Sequence, residues 1–70
     1  MKKKIKIKLN GKLKANNNNS TLFNIVQKNK ISLAKVAIEL NQEIIDKKKM
    51  DKIIVRKNDK IEIVHFIGGG

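Results

Sequence analysis

The stretch Lys4-Ile5-Lys6-Ile7-Lys8-Leu9-Asn10-Gly11 sets the architecture. Strict alternation places Ile5, Ile7 and Leu9 on one face and Lys4, Lys6 and Lys8 on the other. That is the pattern of a half-buried strand with a solvated outer face. Asn10-Gly11 is the strongest short hairpin signal, because both residues tolerate φ > 0. The chain is therefore expected to turn back into a second strand over residues 12–15, with only Leu13 and Ala15 to bury. Lys12 and Lys14 would guard it as an edge strand.

Working outward, residues 16–19 are four asparagines and read as a loop. Ser20 or Thr21 can cap a helix. A capping box from Ser20 is missing, since position 23 holds Phe. Leu22, Phe23, Ile25 and Val26 recur at helical spacing, which predicts a short amphipathic helix over residues 21–29. Lys28 and Lys30 sit near its C-terminal end, where the dipole favours cations. Residues 35–40 alternate again, with Val36, Ile38 and Leu40 on one face. Asn41-Gln42 turns into a short strand over residues 43–45. Residues 46–52 are charged and irregular, with room for one helical turn, and residues 53–55 are a short apolar stretch. Asn58 is the expected left-handed residue of a turn at 57–59. Residues 60–67 form the last strand. A hairpin, one helix and further strands favour an α+β fold with the helix on one sheet face. The first and last strands could then lie side by side and parallel.

The composition excludes several classes. The chain has 70 residues, no Cys and no Pro, so it holds no disulfide framework and no thiolate site. No apolar run approaches the roughly 20 residues of a membrane span. The alternating N-terminus lacks the continuous apolar core of a secretory signal, so a cytoplasmic or organelle-stroma location is expected. Net charge is +11, but 16 of the 17 basic residues are Lys and the one Arg is Arg56. Lys, Ile and Asn, the residues favoured by A/T-rich codons, supply 37 of the 70 positions. Arg is the usual fork for base and phosphate, and the only aromatics are Phe23 and Phe66. Nucleic-acid binding is therefore expected to be non-specific. His65 has no second His, Cys or clustered carboxylate beside it, and Asp59 and Glu62 read as solubilising groups. No catalytic residue and no metal site are expected.

Gly68-Gly69-Gly70 directly follows the apolar strand Ile63-Val64-His65-Phe66-Ile67. Glycines pack nothing and lose the most entropy when ordered. The expectation is a domain over residues 1–67 and a flexible tail over 68–70.

Here the chain resembles the ubiquitin-like sulfur carrier proteins of thiamine biosynthesis, the ThiS type. The resemblance is most specific in residues 35–45 (KVAIELNQEII), and in Lys57-Asn58-Asp59-Lys60-Ile61-Glu62-Ile63-Val64 running to the final glycines. Thr21-Leu22-Phe23-Asn24-Ile25-Val26 matches the family's helix start. Gln42 stands where the family usually has Gly, so a turn needing φ > 0 there would be strained. Asn58 replaces a Gly, and Asp46 replaces a common Pro.

The resemblance implies a β-grasp fold, with a mixed sheet of four to five strands and one main helix on one face. It implies that the carboxylate of Gly70 is adenylated by a ThiF-like adenylyltransferase. The product accepts sulfur from a donor protein and becomes a thiocarboxylate, which supplies a thiazole synthase of the ThiG kind. The chain would be a carrier and not an enzyme. It would bind no cofactor, with ATP used by the partner. Gly68 and Gly69 would thread the partner's channel. Ile67, Phe66 and Val64 would contact it, if Val64 and Phe66 lie on the open sheet face; a bulge near His65 would instead turn Phe66 inward. Two other readings remain at this level. One is the related carrier for molybdopterin synthesis. The other, from a different class, is a small basic RNA-binding module.

Overall fold

A computed structural model describes residues 3–65. β1 (Lys4–Leu9) and β2 (Lys12–Asn17) form the expected hairpin. Asn10 and Gly11 both take positive φ, 51° and 81°, as a two-residue turn between twisted strands requires. Next come α1 (Leu22–Lys28), β3 (Val36–Leu40), β4 (Glu43–Ile44), a 3-10 segment (Lys47–Lys52) and β5 (Lys60–His65). The sheet has five strands in the order β2-β1-β5-β3-β4. β1 and β5 pair in parallel at its centre, and the other pairs are antiparallel. The expected side-by-side arrangement of the first and last strands is therefore present. Among these residues no helix is long and apolar enough to cross a membrane.

One sheet face carries the core. Ile7, Ile38 and Ile61 are fully buried, and Leu22, Ile25 and Val26 of α1 pack against the same cluster. Met50 and Val55 complete it, both fully buried. Met50 lies inside the charged run read as irregular; an isolated apolar residue among lysines gives no periodic signal. Thr21 caps α1 by accepting from the Asn24 N–H at 3.0 Å. Asn24 Oδ1 accepts in return from the Thr21 N–H at 3.2 Å, closing a capping box built on Asn rather than Glu. Phe23 points off the core face and is partly exposed.

The hairpin departs from expectation at β2, which extends through Asn17. The tight turn pairs Leu9 with Lys12, Ile7 with Lys14 and Ile5 with Asn16. Directly opposed residues share a face. Leu13 and Ala15, expected to be buried, therefore lie with Lys8 and Lys6 on the outer face and are exposed. Asn16 is the inward residue and is 3% exposed. The register set by Asn10-Gly11 outweighed the hydrophobicity of Leu13.

Candidate functional site

The expected site lies at the C-terminal end of β5, so the anchoring of that strand decides where the tail leaves the domain. Ile61 and Ile63 face the helix and are buried, while Lys60, Glu62 and Val64 face away. The start of β5 is tied down twice. Asn41 Oδ1 accepts from the Lys60 N–H at 2.9 Å, and Asn41 Nδ2 donates to Asp59 Oδ1 at 3.0 Å. Asp59 Oδ2 accepts from the Arg56 N–H at 2.8 Å, closing the turn at Asn58, whose φ is 71°. Asp59, read as a solubilising residue, is thus a turn anchor. Its two carboxylate oxygens take three-residue and cross-loop donors that would otherwise lose a partner.

The far end of β5 depends on the hairpin turn. β1 pairs with β5 through Lys8 opposite Lys60 and Leu9 opposite Ile61, then turns away. Asn10 compensates: its Oδ1 accepts from the Ile63 N–H at 2.8 Å, across 53 residues of sequence. Beyond it β5 is held on its other side by β3, with His65 opposite Val36 and Val64 opposite Ala37.

Val64 is 43% exposed on the open sheet face, next to Ala37. By register, Leu13 and Ile44 stand on the same face, and both are well exposed. Phe66, Ile67, Gly68, Gly69 and Gly70 lie outside the described residues. Among the described residues no group of three or more His, Cys, Asp or Glu is placed to hold a metal ion. His65 stands on β5 with no acid–base partner recorded among them. What the arrangement provides is a strand pinned along its length, with Val64 exposed on the open sheet face at its last turn of alternation before His65. Sequence reasoning missed Asn10, Asn41 and Asp59 as its anchors; turn residues with acceptor side chains are the signal that could have marked them.

Comparison with known proteins agrees with this geometry. A model of the ThiS family matches residues 7–70. The sulfur carrier protein ThiS of Bacillus subtilis is 35% identical over 65 residues, covering 91% of this chain and 98% of that protein. A thiazole synthase of Magnetococcus marinus is 33% identical over 66 residues, which cover 94% of this chain. The chain spans only 20% of that enzyme's length. The crystal structure of the thiamine biosynthesis protein ThiS from Geobacter metallireducens superposes with a TM-score of 0.77. It is 26% identical and covers 94% of this chain and all of that one.

Proposed function

The chain belongs to the ThiS family, the sulfur carriers of thiamine biosynthesis, and from that premise we propose how its own residues carry the sulfur. The carboxylate of Gly70 attacks the α-phosphorus of ATP held by a ThiF-like adenylyltransferase, and pyrophosphate leaves. A carboxylate is a poor electrophile, and the acyl-adenylate makes its carbon reactive. Hydrosulfide-level sulfur delivered by a donor protein then attacks the acyl carbon, AMP leaves as its C–O bond breaks, and a thiocarboxylate remains on Gly70. A thiazole synthase takes that sulfur. The chain itself supplies no catalytic group, and ATP belongs to the partner.

The division of labour follows from geometry. Three residues reach at most about 10 Å. Gly68 and Gly69 lack Cβ atoms and can thread a narrow channel. Ile67, Phe66 and Val64 give the partner an apolar grip where the domain of residues 1–67 hands over to the tail of residues 68–70. The setting is cytoplasmic or an organelle stroma.

The observation that carries this reading is that the family match runs through residue 70, glycines included. The thiazole synthases of Magnetococcus marinus and Paramagnetospirillum magneticum, each with a stretch similar to this chain, favour a thiazole synthase as the acceptor. ATP–pyrophosphate exchange by the adenylyltransferase of the same organism tests the first step. The intact chain should stimulate exchange, and the chain lacking Gly70 should not. Equal stimulation by both would reject the assignment of Gly70.

A further inference from the structure

A cleft of about 500 Å³ opens on the helix side of the sheet, at the last described residue of β5. Its buried walls are Val36 and Ile63, with Ile31 and Ala34 beside them, and Lys30 and Lys35 also line it. Among the described residues no carboxylate lines it. His65 lines it too, so the cleft reaches the last described residue of β5.

The carbonyls of Asp59 and Ile61 accept from Lys8 and Asn10 at 2.9 Å each, and the Ile63 N–H donates to Asn10 Oδ1. These groups point toward β1. Strand alternation sends the Ile63 carbonyl and the His65 N–H the same way. β1 has already turned off there, and no strand of the described residues pairs with β5 on that side beyond Ile61.

Lys30 adds an independent observation. The N–H of Ile31 donates to the Val26 carbonyl at 3.3 Å, and that of Lys30 to the Gln27 carbonyl at 3.0 Å. This is the double bond pattern that ends a helix through a left-handed residue, a position where glycine is preferred. Lys30 holds it with φ 57°. A strained residue at the mouth of a cleft is a pointer to function.

We propose that this cleft receives an extended, acid-bearing segment of the adenylyltransferase that takes the tail. Its backbone lies along the open edge of β5, its aliphatic side chains rest on Val36 and Ile63, and its carboxylate meets Lys30 and Lys35. The proposal rests on the carrier reading and adds a second contact, on the sheet face opposite Val64. The lysines at its rim select a partner of negative sign.

The test is KM for this protein in the exchange assay, beside its melting temperature. Lys30→Gly and Lys35→Glu should each raise KM roughly tenfold with kcat unchanged. Lys30→Gly should melt no lower than the parent, because glycine suits that turn. Lys48→Glu, outside the cleft and equal in charge change to Lys35→Glu, should alter KM less than threefold, a margin on the order of an exposed charge contact. Unchanged KM in both cleft variants, with normal exchange, would overturn the cleft assignment and leave the carrier intact. An equal rise with Lys48→Glu would overturn it in favour of general charge steering. No exchange with the parent chain would overturn the carrier reading, and the cleft assignment with it.

Discussion

Gln42 has a φ of 73°, beside Asn41 at 52°, in the two-residue turn between β3 and β4. Left-handed backbone costs a residue with a Cβ about 1–2 kcal/mol, and glycine escapes most of it. Gln42→Gly should therefore stabilise the domain by about 0.5–1 kcal/mol, measured by denaturant midpoint at constant slope. The sequence made this strain visible, because Gln occupied a position where the resembled family places Gly. Asn16 gave no such warning. Its Nδ2 is buried and has no hydrogen-bond partner among the described residues. An unsatisfied buried amide costs about 1–3 kcal/mol. Replacing it with Val, which suits a strand, should raise stability by about 1–2 kcal/mol. A lower midpoint would show that the amide makes a contact worth keeping.

At the scale of elements, β5 matters most, because residues 66–70 follow it in sequence and it is held by side chains where its neighbours stop. Asn10 has two duties, the positive φ of the hairpin turn and the acceptor for Ile63. Asn10→Asp keeps both and should leave stability near the parent's. Asn10→Gly keeps the turn and loses the acceptor, and should cost about 1 kcal/mol. Faster amide exchange at Ile63 in the glycine variant alone would locate the loss. The hairpin, the helix and the β3–β4 turn were all legible from alternation, helical spacing and turn dipeptides. The inward face of β2 was not. Leu13 and Ala15 are the apolar residues there, yet a two-residue turn leaves one register, and that register points them outward. Met50 and Asp59 were missed for a related reason. Each acts through partners distant in sequence or hidden in a charged run, which local pattern does not report.

For the whole molecule, the sheet and helix account for the described residues, and the chemistry we propose falls on Gly70 beyond them. The family resemblance was readable in the sequence because it sits in residues 35–45 and in residues 57–70, where an aliphatic strand ends in three glycines. The cleft at Lys30 and Lys35 was not readable, since it joins residues from the helix end, β3 and β5. Under the carrier reading Gly69→Val should leave the melting temperature within about 2 °C of the parent. The same variant should slow adenylation at least tenfold, because a β-branched side chain narrows the backbone conformations open to the segment we propose is threaded into the partner. The most direct test of the central claim is the intact mass of the protein after incubation with ATP, its adenylyltransferase and a sulfur source. The account predicts a gain equal to the exchange of one oxygen for sulfur, absent when Gly70 is deleted. An unchanged mass with an enzyme that demonstrably adenylates the chain, or the same gain without Gly70, would contradict it.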